Sequence, residues 1–572
     1  MGANNKRSSH RLSFAKTATK ADILARDQAT SHRVVRLLTT VIFAAYATLM
    51  VGLGSVGVTD WEAWGSLFGV VLVVHLCMFL MVRVYHSELL AELNTFAHYF
   101  MLLAVFVLIA KVMIRSETDL VLLVPLPVLA MLVALIFSPP LAISTSLASA
   151  TIAGLMTQQG VGGESQAPFV MSVTLFAGGL VAALGMHRIR NRTRLVIIGF
   201  AAGVAQFVTC LLLELWALGV PTDWAAGADR LIHPGFAFLN GLGAGILVTS
   251  ALPFVERIFN VTTDIRLIEL ADVNLPLLRD FSLLAPGSWV HSQTVGQLAE
   301  EAARSIGAND LLARVGAYYH DIGKMLKPLY FVENVRDGEN MHDRLSPEMS
   351  RLIIIAHVKD GIRLAQEEGL PKPIVDMIPM HHGTSVVEYF YHKKRQQEES
   401  RGFSESGQGA FQYPGPKPTF REAGILMLAD SVEAISRLLT EPTPTRLRQV
   451  VRDVIQKKMS TGQLDQCELT VRDLKGIEDA FVRVLAAIQH GRIRYPTDDD
   501  GDGGTGVGVG PRSAGPGGSR ERGPDKVAPP RPPAEKSAND PGTKGDAAGV
   551  PRPAASRPGS EVLRAAARPA RD

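Results

Sequence analysis

Long apolar runs fill most of the first 256 residues, and they restrict the possible folds of the chain more than any other feature. Each run is close to the ~20 residues that a helix needs to cross the hydrocarbon core of a bilayer. The eight runs cover residues 36–57, 64–84, 95–114, 118–138, 139–158, 168–187, 195–218 and 236–256. We therefore predict a polytopic helical membrane bundle over residues 34–256. The fourth and fifth runs meet at Ser138-Pro139-Pro140, and a single broken span there would make the count odd.

The composition agrees with a membrane protein, because 47% of the 572 residues are hydrophobic and only 20% are charged. The lipid bilayer is therefore an expected partner. A net charge of +3 gives no electrostatic case for binding a polymeric nucleic acid. Cys77, Cys210 and Cys467 form neither a CxxC motif nor a disulfide framework, so nothing argues for an oxidising compartment.

Lysine and arginine residues indicate the orientation of the bundle, because cytoplasmic loops carry an excess of them. Residues 1–33 are basic, and so is the segment 187–194, whereas the loop 158–167 has neither Lys nor Arg. With eight spans, these signals place both termini and everything after residue 257 in the cytoplasm. Lys111 and Arg115 would then lie near the outer face, which is a weaker contrary signal.

The remainder of the chain divides into three parts. A juxtamembrane linker helix is expected over residues 257–290, with a helix start at Thr263-Asp264. Apolar residues repeat at spacings of three and four from residue 291 to 496, which predicts an all-helical domain. Residues 497–572 are rich in Gly and Pro and poor in aromatic residues, so we expect a disordered tail.

The helical domain contains an ordered set of histidines and aspartates. His320-Asp321 is followed by Gly323 and Lys324, and the other candidates are His291, His357, His381, His382 and Asp430. Imidazole and carboxylate donors suit first-row divalent metals, and the absence of Cys argues against a structural thiolate zinc site. Seven donors are too many for one ion and suit two ions that share a bridging carboxylate, as in phosphate-ester hydrolysis.

This set resembles that of the seven-transmembrane HD-domain (HDIG) phosphohydrolases, and most of all that of the PgpH-type cyclic di-AMP phosphodiesterases. The stretches that carry the resemblance include Tyr318-Tyr-His-Asp-Ile-Gly-Lys, His342-Asp-Arg-Leu-Ser-Pro, His381-His-Gly-Thr, Tyr413-Pro-Gly-Pro-Lys-Pro and Ala429-Asp-Ser-Val-Glu-Ala. The chain departs from the family in one respect. Family members typically carry a large extracytoplasmic domain between the first two spans, where this chain has only residues 54–64.

The resemblance implies a bacterial-type inner-membrane enzyme with two Fe or Mn ions. One ion would be held by His291, His320, Asp321 and Asp430, and the other by Asp321, His357, His381 and His382. Catalytic roles would fall to His320, Asp321 and Lys324, of which Lys324 would contact a phosphate oxygen. The second HD pair, His342-Asp343, is not expected to ligate metal. Candidate substrate contacts are Lys324, Tyr330, Phe331, Gly383, Thr384 and Tyr389.

The implied reaction opens cyclic di-AMP to the linear dinucleotide. Two alternatives stay open: a membrane receptor that binds the nucleotide with little turnover, and an HD hydrolase of another cyclic dinucleotide or nucleotide. The sequence does not choose between iron and manganese or between adenine and guanine. It also leaves the oligomeric state open, with a homo-oligomer among the candidates.

Overall fold

The computed structural model describes residues 35–490, except residues 54–55, 57–58, 86–92, 116–118, 158–166, 222, 336–339, 402–406 and 440–441. The predicted basic segment 1–33 and the predicted tail 497–572 lie outside the described residues. Within the described part of the chain every regular element is a helix, and the β pairing is one isolated bridge between Val386 and Gln412. The all-α fold class is therefore confirmed.

Helices that are long and apolar enough to cross a membrane form the first half of the chain, and seven of them are found among the described residues. The helices of this half are α1 (Val35–Gly52), α2 (Trp61–Tyr85), α3 (Leu93–Arg115), α4 (Leu126–Ile136), α5 (Pro139–Met156), α6 (Ala167–Gly185), α7 (Arg192–Leu218), α8 (Trp224–Asp229) and α9 (Ile232–Phe259).

The predicted run 118–138 does not form a full-length span. It contains a 3₁₀ helix, Asp119–Leu123, and then α4, which has only 11 residues. Prolines explain the interruptions, because Pro125 precedes α4 and Pro139 occupies the first position of α5. The Ser138 side chain caps α5 by accepting a hydrogen bond from the Leu141 backbone nitrogen at 3.4 Å. Among the described residues, the eight predicted runs thus correspond to seven long helices and the short α4.

Glycines bring the backbones of α7 and α9 into direct contact. A Cβ atom added to Gly199 would lie 2.6 Å from the Gly245 Cα, and one added to Gly241 would overlap the Gly203 backbone. Both helices carry these glycines four residues apart, on one face. Small residues at this spacing allow the close helix approach that stabilises membrane bundles through van der Waals contact.

The linker prediction was wrong in one respect, because residues 257–290 do not form a single helix. They hold the end of α9, then α10 (Asp264–Leu270), α11 (Pro276–Leu284) and the first turn of α12 (Pro286–Ser305). Asn260 ends α9 in the left-handed conformation, and Thr263 caps α10 as predicted. Prolines at the starts of α11 and α12 separate the pieces, since a proline cannot continue a preceding helix.

The second half of the chain is a helical domain. Its helices after α12 are α13 (Asp310–Tyr319), α14 (Pro347–Glu367), α15 (Lys372–Met380), α16 (Glu388–Glu399), α17 (Arg421–Ser436), α18 (Pro444–Ser460) and α19 (Val471–His490). Ser346 and Thr443 cap α14 and α18, and each is followed by a proline in the first helical turn. Leu298, Leu426 and Phe481 are fully buried where α12, α17 and α19 pack together.

Two arginines join the membrane bundle to this domain. Arg190 Nη2, in the turn before α7, donates to Asp310 Oδ1 at 2.7 Å, at the first residue of α13. Arg192 Nη2 donates to Glu269 Oε1 at 2.6 Å, on α10. The basic loop of the bundle therefore contacts the helix that leads into the His320-Asp321 pair.

Candidate metal centre

The seven predicted donors come from five helices and converge on one interior point. His291 lies in the second turn of α12, His357 in α14 and Asp430 in α17. His320 and His381 directly follow the last residues of α13 and α15, so two helix ends face the site. The side chains of His320, Asp321, His357 and His381 are all at most 2% exposed.

Three of the imidazoles are oriented by their own helices. The Nδ1 atoms of His320, His357 and His381 donate to the carbonyl oxygens three residues earlier, at 2.7, 2.5 and 2.5 Å respectively. A donating Nδ1 fixes the tautomer and leaves the Nε2 lone pair free to accept. The repeated local hydrogen bond thus turns three Nε2 atoms toward the interior.

Asp321 lies between two groups of histidines, and its two oxygens face different groups. Oδ2 lies 3.2 Å from His320 Nε2 and 3.7 Å from His291 Nε2. Oδ1 lies 3.4 Å from His357 Nε2 and 3.7 Å from His381 Nε2. A carboxylate with this placement can contribute one oxygen to each of two neighbouring ions.

The donor atoms fall into groups that are compact enough for a metal ion. One group is His291, His320 and Asp430, another is His357, His381 and His382, and the donor atoms within each lie within 4.8 Å of one another. Among the described residues, His320 Nε2, His357 Nε2, His381 Nε2 and Asp321 Oδ1 are buried without a hydrogen-bond partner. Buried polar atoms are normally satisfied. Their convergence here therefore fits bound metal, and the nitrogen and oxygen donors fit a first-row divalent ion.

Burial keeps most of these histidines neutral, which a metal ligand requires. It lowers the pKa of His357, and together with the nearby charge of His320 it lowers the pKa of His381 to about 3. Burial and the charge of His381 likewise lower the pKa of His382. These imidazoles hold no proton that a metal ion would have to displace at neutral pH.

His291 is held differently, by a carboxylate that the sequence analysis missed. Its Nδ1 donates to Glu433 Oε2 at 2.6 Å, and Arg437 in turn donates to Glu433. Burial alone would lower the pKa of His291, but hydrogen bonds to Asp430 and Glu433 raise it to about 10. Glu433 stands three residues after Asp430 and so shares its face of α17, a spacing that is visible in the sequence.

Lys324 is placed at the centre but is already paired. Its Nζ lies 2.7 Å from Asp321 Oδ2 and donates to Glu333 Oε1 at 2.9 Å. Although burial would lower its pKa, these two carboxylates raise it. Ser288 also donates to Glu333 Oε1, at 2.8 Å. The structure thus shows Lys324 compensating buried carboxylates, a role that was not predicted for it.

The candidate substrate contacts divide into two places. Tyr330, Phe331 and Tyr389 line one cavity of about 830 Å³, and Phe390 and His342 line it as well. His342 Nε2 lies 2.8 Å from the Tyr330 carbonyl oxygen, so its contacts are with this cavity wall.

Gly383 and Thr384 do not line that cavity. They form a turn against the end of α18, where the Thr384 backbone nitrogen donates to Gln463 Oε1 at 2.9 Å. Gly383 has φ +55, a conformation that favours glycine.

The stretch that begins at Tyr413, in a loop rich in glycine and proline, borders the site. The Tyr413 ring stacks on the His382 ring with centroids 4.1 Å apart and planes 24° apart. The Tyr413 backbone nitrogen also donates to the Ser385 carbonyl oxygen at 2.9 Å. The loop therefore contacts both the His382 imidazole and the turn 383–385 that follows it.

A multi-pass helical bundle followed by a helical domain with a buried histidine–aspartate centre defines a class of membrane protein with an attached HD domain. Residues 61–263 match the family described as "7TM receptor with intracellular HD hydrolase", and residues 289–435 match the HD domain. The chain is therefore similar to the seven-transmembrane HD proteins in its membrane bundle and to HD domains in its helical domain.

Relatives of the chain include two proteins named cyclic-di-AMP phosphodiesterase PgpH. The one from Listeria monocytogenes is 38% identical over 337 residues, 59% of this chain and 46% of the relative. The one from Bacillus subtilis is 36% identical over 374 residues, 65% of this chain and 51% of the relative. This chain therefore spans about half the length of the curated relatives it matches.

The solved HD domain of Listeria monocytogenes PgpH is 43% identical to this chain. The match covers 38% of this chain and 100% of the solved chain, with a TM-score of 0.36. A second structure of that domain, in complex with cyclic-di-AMP, matches with the same values.

Proposed function

We propose that the chain is a membrane-anchored, metal-dependent phosphodiesterase that hydrolyses cyclic di-AMP to 5′-pApA. The observation that carries the proposal is the pair of donor groups on either side of Asp321, whose Oδ1 is buried without a hydrogen-bond partner among the described residues. The relatives from Listeria monocytogenes and Bacillus subtilis, which are named for this activity, support the choice of substrate.

Two divalent ions, iron or manganese, would fit the donor set. His291, His320 and Asp430 would hold one, His357, His381 and His382 would hold the other, and Asp321 would contribute one oxygen to each. When bound, a pair of ions supplies Lewis-acid chemistry, since it activates water and draws negative charge off a phosphate.

The residues of the chain supply orientation and charge balance. The backbone carbonyls that accept from His320, His357 and His381 hold these imidazoles in the tautomer with the proton on Nδ1, which leaves Nε2 free to bind a metal ion. Lys324 compensates Asp321, which is buried among histidines that are mostly neutral. Burial alone would raise the pKa of Asp321, and the charges of His320 and Lys324 hold it well below its usual range, so the carboxylate stays ionised.

The aromatic cavity beside Lys324 suits a nucleobase. Tyr330, Phe331 and Tyr389 line it, and its volume of about 830 Å³ is within the range of small-molecule sites. Phe331 lines this cavity and also contacts residues of the metal centre. Lys324 Nζ is 5.1 Å from its ring centroid, and its ring packs on His357. One base of the dinucleotide would stack there while a phosphate reaches the metal centre.

The HD domain and both termini are proposed to be cytoplasmic. The region matched by the seven-transmembrane family, residues 61–263, contains six long helices and the short α4. Adding α1 gives eight crossings, which places the chain ends on one side, and the basic segment 187–194 places that side in the cytoplasm. We assign residues 34–256 to the membrane, 257–290 to a linker of several short helices, 291–496 to the hydrolase domain and 497–572 to the tail.

The test uses the full chain purified in detergent and loaded with Mn²⁺ or Fe²⁺, with cyclic di-AMP as substrate and cyclic di-GMP as competitor. Wild type should release 5′-pApA and lose this activity with a chelator. Asp321→Ala should lower turnover more than 100-fold and lower the bound metal, because the shared ligand is lost. Tight binding of cyclic di-AMP without cleavage would favour a receptor, and preference for another nucleotide would overturn the substrate.

A further inference from the structure

The end of α18 packs against the turn that follows the His381-His382 pair. Lys458 Nζ donates to Ser385 Oγ at 3.1 Å, and the Ser385 backbone nitrogen donates to the His382 carbonyl oxygen at 3.0 Å. Gln463, five residues further along the chain, binds both the backbone nitrogen and the hydroxyl of Thr384. Lys458 is therefore two hydrogen bonds away from the backbone of a metal-facing histidine.

Lys458 differs from the other lysines near the site in that no carboxylate among the described residues neutralises its charge directly. Lys324 is paired with Asp321 and Glu333, and Lys457, the neighbour of Lys458, is paired with Glu388 at 2.7 Å. Within the described part of the chain, the hydrogen-bond partner of Lys458 is a neutral hydroxyl, and no carboxylate lies at ion-pair distance from it. A half-buried ammonium without a counter-ion is electrostatically unfavourable until an anion reaches it.

The surroundings of Lys458 agree with an anion site at the edge of the metal centre. Burial lowers its pKa, and the carboxylate of Asp430 raises it, so the ammonium lies within electrostatic reach of a metal-facing group. Lys457 and Glu388 are the other charged groups that act on it, and they compensate each other. Metal ions bound at the donor groups would add positive charge and increase the attraction for an anion.

We propose that Lys458, oriented by Ser385, contacts a non-bridging phosphate oxygen of the substrate at the metal centre. The proposal rests on the proposed function for the substrate, and it replaces Lys324 as the lysine whose charge is available to the phosphate. A lysine ammonium provides a compact positive charge with three donors, so one can bind Ser385 Oγ while another binds phosphate.

The test measures phosphate binding separately from turnover. The full chain in detergent, loaded with Mn²⁺, is titrated with inorganic phosphate by calorimetry and assayed with cyclic di-AMP. Lys458→Met should weaken phosphate binding and raise the KM for cyclic di-AMP about 10- to 100-fold, the range for a hydrogen bond to a charged group. The content of bound manganese should not change.

Matched variants separate charge from structure. Lys457→Met, on the same helix, should bind phosphate as wild type does. Ser385→Ala removes the orienting hydroxyl and keeps the charge, so it should change phosphate binding less than about threefold, well below the 10-fold expected when the charge is lost. Lys458→Arg should retain most of the binding, and Lys458→Gln is the second neutral variant if Lys458→Met does not fold.

Three results decide the proposal. Wild-type phosphate binding in Lys458→Met and Lys458→Gln would overturn it. Equal losses in Ser385→Ala and Lys458→Met would also overturn it, because Lys458 would then act only by holding the turn. If wild type does not cleave cyclic di-AMP but phosphate binding still depends on Lys458, the proposed function fails and the anion site stands.

Discussion

His291 is the one histidine of the first donor group whose Nδ1 is held by a side chain. His320, in the same group, is held by the carbonyl oxygen of Ala317 in its own chain segment. His291 depends on Glu433, which belongs to a different helix. Backbone hydrogen bonds survive any substitution at the carbonyl residue, whereas the support of His291 can be removed by changing one residue.

We therefore predict that Glu433→Gln weakens metal binding about 10- to 100-fold, because carboxylates that hold ligand histidines have effects of this size. The measurement is a competition titration of the full chain with a metal-binding dye. Arg437→Gln is the control, since it loosens Glu433 without touching His291 and should have a smaller effect. Unchanged affinity in Glu433→Gln would show that His291 is oriented without this carboxylate.

The positions of the donors could be predicted from the sequence, whereas their partners could not. The members of each pair, His320-Asp321 and His381-His382, are adjacent, and a glycine follows each pair. This local pattern can be read directly from the sequence. The pairing of Lys324 with Glu333 and that of His291 with Glu433 depend on how loops and helices pack. Such distances are not encoded by spacing along the chain.

At the scale of the helices, the glycine contact between α7 and α9 yields a direct prediction. Gly241→Ala places a methyl group against the backbone of Gly203, so it should destabilise the bundle by about 1–3 kcal/mol, as overpacking does. The unfolding midpoint of the full chain in detergent should fall.

Gly243→Ala is the matched control on the same helix. A Cβ at Gly243 meets no atom within 4 Å, so its unfolding midpoint should stay near that of wild type. Equal behaviour of the two variants would show that α7 and α9 do not pack through these glycines.

Helix lengths were predictable only where prolines did not intervene. Apolar runs gave the correct positions of the long spans, because burial in lipid requires little more than ~20 apolar residues. The run 118–138 is equally apolar, but Pro125 and Pro139 confine its α-helix to 11 residues. The linker was predicted as one helix although Pro276 and Pro286 mark two helix starts in its sequence.

At the scale of the whole molecule, the short α4 decides the side on which the N-terminus lies. If the segment Val121–Ile136 completes a crossing, the chain crosses eight times and its two ends share the cytoplasm. If it does not, seven crossings place the ends on opposite sides. The 16 residues of this segment would span about 24 Å as a continuous helix, somewhat less than the ~30 Å hydrocarbon core.

We predict eight crossings, and reporter fusions in bacterial cells can check this. Fluorescent protein fused to either end of the chain should fluoresce, because it folds in the cytoplasm. Alkaline phosphatase inserted in the loop 158–166 should be active, because the absence of Lys and Arg from that loop predicts that it faces out. If the N-terminal fusion does not fluoresce and the C-terminal fusion does, the chain crosses the membrane seven times.

The contact between Arg190 and Asp310 connects the loop before α7 to the first residue of α13, the helix that leads to the metal centre. The helix has ten residues, so it is about 15 Å long, and His320 and Asp321 follow its last residue. A displacement of the loop before α7 would be carried along this helix to the shared carboxylate. Because a catalytic centre must be held within about 0.5 Å of its productive geometry, a shift of that size at Asp321 would be expected to lower the proposed turnover.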